Sequence, residues 1–344
     1  MSEQIALKDP LEAMEHFFMM GWTDGLPVVP PTPEKVEAML NEAGLTGSEV
    51  IGRIAERNSV ITAEKVAINA VMAGCLPAYM PVVMAAVQAV LDPAFGVHGP
   101  TVSTGGAAML VIVNGPIIQQ IGLNSGKNLM GTGHRANLTI GRAVRLVLQI
   151  AGAGAKFDQT TIGHPGKISF CIAEAEQEDW EPLHVQRGFQ RTDSAVTVFA
   201  SEGPNQIYNH VATNPEQLLL SFADRMTPFS TFNMQRNTQC VVVVCPEHLA
   251  TIQRYGWDKT RVQQFLFEQA RRPRADLEKF GFPVESALGD KDWITVAPSP
   301  EDILLVAGGG PAGSFSSYIP GWASMDQSVA ITKPITTAAA CGDT

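Results

Sequence analysis

The chain has 344 residues, with 24 Lys and Arg against 34 Asp and Glu, a formal net charge of −10, and 45% hydrophobic residues. That composition supplies a large core and excludes global disorder, and the acidic balance excludes a nucleic-acid binder that relies on phosphate neutralisation. No basic segment followed by an apolar run opens the sequence, and no stretch reaches the roughly 20 uninterrupted apolar residues of a membrane span. The expectation is therefore a cytoplasmic protein with no membrane or nucleic-acid partner.

In chain order, Asp9-Pro10 predicts a capped helix over 9–21, and the Pro- and Gly-rich stretch 22–32 predicts irregular chain. Thr32-Pro33 restarts a helix. Residues 63–74 and 78–91 read as two buried helices joined at Gly74-Cys75-Leu76-Pro77, and 109–113 as a strand closed by the turn Asn114-Gly115-Pro116. Over 135–151 the period is helical, with Ile140, Val144, Val147 and Leu148 on one face and Arg142, Arg145 and Gln149 on another. Arginines in so apolar a helix need acidic partners or a ligand. Alternation predicts a half-buried strand at 168–173, and 195–200 reads as a second.

After about residue 235 the grammar changes. The β-branched run 240–245 suits a buried parallel strand, and helices at 246–255 and 261–271 alternate with strands at 294–297 and 303–307. The predicted fold class is mixed α/β, with apolar helices in the N-terminal half and strand–helix alternation around a buried sheet in the C-terminal third. The expected regions are 1–234 and 235–344. Apolar helices over 63–91 suit either core or a subunit interface, and a homo-oligomer is expected.

Four groups of residues are candidates for chemistry. Cys75 lies at a helix junction, where a helix N-terminus would favour its thiolate. The other cysteines, Cys171, Cys240, Cys245 and Cys341, are scattered without a CxxC pair, so free thiols are expected rather than disulfides. The glycine-rich stretch 122–134 feeds a helix N-terminus. Its backbone N–H groups, with Lys127, His134, Arg135, Asn137 and Arg142, suit a carboxylate or phosphate. His164, Glu174, Glu176 and His184 carry proton transfer or, alternatively, ligate a divalent metal, with His98 as an outside candidate. Finally, Gly308, Gly309 and Gly310 follow a strand at the place where open α/β sheets bind ligands, and Ser314, Ser316 and Tyr318 add hydroxyls.

Several phrases together resemble a poorly characterised bacterial family. They are Asp24-Gly25-Leu26-Pro27-Val28-Val29-Pro30-Pro31-Thr32, Val71-Met72-Ala73-Gly74-Cys75-Leu76-Pro77, Ala136-Asn137-Leu138-Thr139-Ile140-Gly141-Arg142-Ala143, His164-Pro165-Gly166-Lys167 and Pro182-Leu183-His184-Val185-Gln186-Arg187-Gly188. That family is associated with small proteins bearing a (seleno)cysteine-Gly-Ser-Cys motif. The motif is not in this chain, so the resemblance implies that the thiol module is either a separate partner protein or absent.

The leading expectation is an enzyme of the lyase or oxidoreductase type. It acts on a small anionic substrate and breaks or reduces a carbon–heteroatom bond, with Cys75 as thiolate and His164, Glu174 or His184 moving protons. A metal-dependent hydrolase or lyase built on His164, Glu174, Glu176 and His184 is the alternative. A third reading is a non-catalytic subunit that presents a small molecule to a thiol-bearing partner.

Overall fold

The computed structural model describes residues 5–281 and 292–337. Asp9 caps α1 (Pro10–Met19), accepting from the N–H groups of Leu11 and Glu12, and α2 (Pro33–Ala43) follows. A hairpin of β1 (Val50–Ile54) and β2 (Ser59–Thr62) leads into α3 (Ala63–Ala73), α4 (Met80–Val90) and α5 (His98–Val102). Next come β3 (Ala108–Asn114), α6 (Ile117–Gln120), α7 (Arg135–Leu146), β4 (Cys171–Ala173), α8 (Leu183–Gln186) and β5 (Ala195–Ser201). They are followed by β6 (Asn205–Tyr208), α9 (Pro215–Met226), α10 (Phe232–Arg236), β7 (Cys240–Val244), α11 (Pro246–Gln253) and α12 (Lys259–Gln269). The remainder is β8 (Arg271–Pro273), α13 (Arg274–Lys279), β9 (Trp293–Thr295), β10 (Ile303–Ala307), β11 (Phe315–Pro320) and β12 (Ile331–Pro334).

Two four-stranded sheets carry the architecture, ordered β12-β5-β3-β4 and β10-β7-β11-β6. In the first, β3 runs parallel to β4 and antiparallel to β5; in the second, β10 runs parallel to β7, which lies antiparallel to β11. Because side chains alternate along a strand, each apolar strand has two faces to bury. Leu110 and Ile112 of β3 pack with Val241, Val243, Leu304, Val306 and Ile319 between the sheets. Met109, Val111 and Val113 face the other way, against α2, α3, α4 and α7. Likewise Val242, Val244, Ile303 and Leu305 pack on α9, α11 and α12. The mixed α/β chain thus forms four layers, helices–sheet–sheet–helices.

β3, apolar up to its last residue Asn114, and the apolar β7 are buried on both faces for this reason. The strand predicted over 168–173 is shorter than its alternation suggests: only Cys171–Ala173 pairs, all three buried, while a helical turn at Pro165–Lys167 precedes it and Ile168 is exposed. The second layer pair begins before residue 235, because β6 pairs with β11 and α9 packs on that sheet. In return, β12 pairs back to β5.

Candidate functional site

The carboxyl ends of β3, β4, β7 and β10 lie along one rim, where parallel strands leave backbone groups free for ligands. The two sheets touch there: the Ala175 N–H donates to the Ala307 carbonyl at 2.8 Å. Glu174 follows β4 directly and is buried to 1% exposure. Its carboxylate accepts from Asn114 Nδ2 at 2.7 Å, the Leu183 N–H at 2.8 Å and the Ala307 N–H at 3.3 Å. Lys259 Nζ approaches it at 3.6 Å and donates to the Glu181 carbonyl at 2.7 Å, beside the Trp180 ring. Burial pushes the Lys259 ammonium below its ordinary pKa, and Glu174 and Glu181 only partly restore it.

Two residues on, Glu176 is half-buried. Its Oε1 accepts from the same Asn114 amide at 3.0 Å and from the Gly115 N–H at 2.6 Å. His184 of α8 lies 3.7 Å from that oxygen through Nδ1, with 0% side-chain exposure. Neither ring nitrogen of His184 has a hydrogen-bond partner, nor does Asn114 Oδ1 or Trp180 Nε1. Buried polar atoms left this way are rare in folded proteins and call for water or a ligand; His98 Nδ1, His164 Nε2 and the Tyr318 hydroxyl share this state elsewhere, but only His184 has both ring nitrogens unpartnered among the described residues.

The two glycine-rich segments meet at this rim. The Gly309 N–H donates to the Ser125 carbonyl at 2.9 Å, and Gly310 packs on the Lys127 stem so closely that a Cβ there would stand 3.0 Å from Lys127 Cγ. Asn137, buried at the start of α7, holds Asn124 through its N–H and carbonyl, both at 2.9 Å, and reaches the Cys171 carbonyl. Lys127 is exposed and has no carboxylate partner among the described residues. His134 immediately precedes α7, and Arg135 donates to the Gly74 carbonyl at 2.9 Å.

Other predicted residues fall elsewhere. Cys75 does not sit at a helix N-terminus. Gly74, at φ 91°, ends α3, and the Cys75 N–H closes that helix onto the Ala70 carbonyl, so the thiol lies at the negative end of the helix. It is buried among the α3 and α4 side chains, and burial pushes its pKa up to about 12 despite the Thr139 hydroxyl and the charges of Arg135 and Arg142. The expected thiolate is corrected to a packed thiol. Cys171, Cys240 and Cys245 are also buried and free; Cys341 lies outside the described residues.

Arg142 is likewise structural. Its guanidinium grips Asp24 at 2.7 and 2.8 Å and the carbonyls of Leu26 and Pro27 at 3.3 and 3.0 Å, which ties the Asp24-Gly25-Leu26-Pro27 stretch to α7. Arg145 pairs with Asp158.

His164 does not join Glu174 and His184. It borders Gly203, and its Nδ1 accepts from the Gly166 N–H at 3.2 Å, at the Ala108 end of β3, whereas Glu174 is at the Asn114 end. Seven strand residues separate the two by about 20 Å. His98 stacks edge-on to Phe157 in yet another place. Among the described residues no three His, Cys, Asp or Glu side chains group as metal ligands, so the expected metal set is not assembled.

Past the glycine turn, the Ser314 hydroxyl and the Gly313 N–H bind Glu247. Ser316 Oγ is buried, accepting from the Cys245 N–H at 3.0 Å and bonded to His248 Nδ1 at 2.7 Å. Tyr318 is fully buried in the core of the second sheet, so neither hydroxyl reaches a ligand.

Sequence reading missed Asn114 as a bridge between two carboxylates and Lys259 as a buried cation. An Asn at a strand end and a Lys at a helix start carry no local signal for either role. No family model, curated protein or solved structure matches the chain. Among the described residues no helix is long and apolar enough to cross a membrane.

Proposed function

We propose that the protein is an enzyme that transfers a proton on a small anionic organic substrate, with Glu176 as the acid–base group and His184 behind it. The observation that carries this reading is His184, a fully buried imidazole with two unpartnered nitrogens beside a half-buried carboxylate. Glu176 Oε1 is fixed by Asn114 and Gly115, and no hydrogen bond to Oε2 competes with a substrate. Lys127, unpaired and lying on Gly310, supplies the positive charge for a carboxylate or phosphate, with His134 at the end of the same loop. Proton abstraction followed by departure of a heteroatom, a lyase step, suits such a pair; hydrolysis with water as the proton donor suits it equally.

The burial of Cys75, Cys171, Cys240 and Cys245 favours one variant of this reading. Any thiol chemistry would come from a separate small (seleno)cysteine protein, as the family resemblance implies, and not from these four residues.

The test is incubation of the pure protein with a pool of small carboxylic acids and phosphate esters, read by mass spectrometry. Consumption of one compound by the wild type and not by His184→Gln supports the proposal. A pool left untouched by the wild type, or equal consumption by the variant, overturns it.

A further inference from the structure

Beyond the Glu176–His184 rim, the groove of about 660 Å³ lined by Asp92, Gln186, Arg187, Phe189, Thr332 and Lys333 is unaccounted for. It runs between the chain that leaves α8 and the edge strand β12. Arg187 is held rigidly: Nε donates to the Thr332 hydroxyl and Nη2 to the Ala330 carbonyl at 2.7 Å. Both partners are neutral, and no carboxylate forms an ion pair with this half-buried guanidinium among the described residues. Asp302 attracts this charge from beyond ion-pair distance, but burial outweighs that attraction, and Nη1 keeps its donors unspent. Lys333 adds a second cation, matched by Asp92 at 2.7 Å. The groove thus carries a net positive charge on a chain whose formal charge is −10.

From these features we infer that the groove is a second binding site, for an oxyanion. Arg187 is the recognising cation, the Phe189 ring forms a wall, and Lys333 stands at the margin. A carboxylate and a phosphate share the chemistry required, two or more oxygens that accept from a fixed planar fork. The site is distinct from the glycine-loop rim, because Lys127, His134 and Glu176 line no part of it.

The experiment is titration of the full-length protein with inorganic phosphate and, separately, with acetate, followed by the amide signal of Gly188 and by calorimetry. Saturable binding of at least one probe is expected. Arg187→Gln weakens it at least about tenfold, the loss of one charge-assisted contact, while Arg187→Lys, lacking the fork, restores it only in part. Gly188 lines this groove and Lys127 and Glu176 do not, so its amide signal reports this site alone, and failure of the proposed turnover and failure of this site are read separately. Should Arg187→Gln not fold, Lys333→Gln decides, with a weakening of about threefold expected from loss of one surface charge. Absence of saturable binding by either probe, or binding indifferent to both substitutions, overturns the inference.

Discussion

Glu174 and Lys259 form a buried ion pair that fastens the two sheets, and a double-mutant cycle measures how. In Glu174→Leu, Lys259 Nζ loses its nearest carboxylate and keeps the Glu181 carbonyl at 2.7 Å, the Trp180 ring at 5.7 Å and the weaker pull of the Glu181 and Glu176 charges. An uncompensated buried charge costs about 3–5 kcal/mol. The Asn114, Leu183 and Ala307 donors that bonded the carboxylate lose their acceptor as well. In Lys259→Met the carboxylate keeps all three donors, so the expected cost is smaller, about 2 kcal/mol, close to that of losing a hydrogen bond to a charged group. The double variant removes both charges and should cost at least about 2 kcal/mol less than the sum of the singles, as directly coupled residues do. Urea unfolding at neutral pH reads all four proteins. Additivity within about 0.5 kcal/mol, or a Lys259→Met cost equal to that of Glu174→Leu, would refute the reasoning. The pH dependence has a definite sign. The folded-state pKa of Lys259 lies below its ordinary 10.5, so between those values the unfolded chain binds more protons. The wild type's stability relative to Lys259→Met should therefore rise as pH climbs through that window.

Three more outcomes are expected. Asp24 is half-buried, which raises its carboxyl, but the Arg142 hydrogen bonds and charge outweigh burial and hold it below 3.8. The stability it contributes is present above about pH 4 and lost as pH falls through the folded value; Asp24→Asn should cost about 1–3 kcal/mol at pH 7 and progressively less below pH 4 in an unfolding titration. With its pKa pushed up to about 12, native Cys75 should resist iodoacetamide at pH 8 and react once unfolded, as read by mass spectrometry, and Cys75→Ala should leave any turnover intact. Rapid native labelling would restore the thiolate reading. At Gly115, φ is 91° and a Cβ would collide with the Asp193 carbonyl, while its N–H holds Glu176. Gly115→Ala should lower the urea midpoint by the equivalent of about 1–3 kcal/mol and reduce turnover together with it.

Much of the helical layer was legible because its signals are local. The Asp9-Pro10 and Thr32-Pro33 starts, the Gly74 stop and the apolar face of α7 all fall where the sequence places them. The arginines of α7 found acidic partners, as burial demands: Arg142 took Asp24 and Arg145 took Asp158. The β-branched run of β7 and the turn after β3 were equally plain. What was not legible depends on pairing over long separations. β11 (Phe315–Pro320) reads as a Gly- and Ser-rich loop and becomes a strand through its partners β6 and β7, and β12 is a strand only because β5 accepts it.

The site divides in the same way. The two glycine-rich segments stand out in the sequence by their positions at a helix start and a strand end, and the fold brings them together, as it does Glu174, Glu176 and His184. His164 does not join them, since a strand between two motifs places their ends about 20 Å apart, which spacing along the chain does not reveal. Cys75 was misplaced because the junction Gly74-Cys75-Leu76-Pro77 ends one helix and starts another, and the hydrogen bond to Ala70 decides that the thiol belongs to the end.

Proton transfer by Glu176, seated on Asn114 and Gly115 with His184 behind it, is tested most directly by comparing kcat/KM of Glu176→Gln with that of the wild type on the compound the wild type consumes. The substitution keeps the size and the contacts of the side chain but removes the base, so a fall of about 10²–10⁴-fold with an unchanged urea midpoint is predicted. A rate within about twofold of the wild type would contradict the assignment.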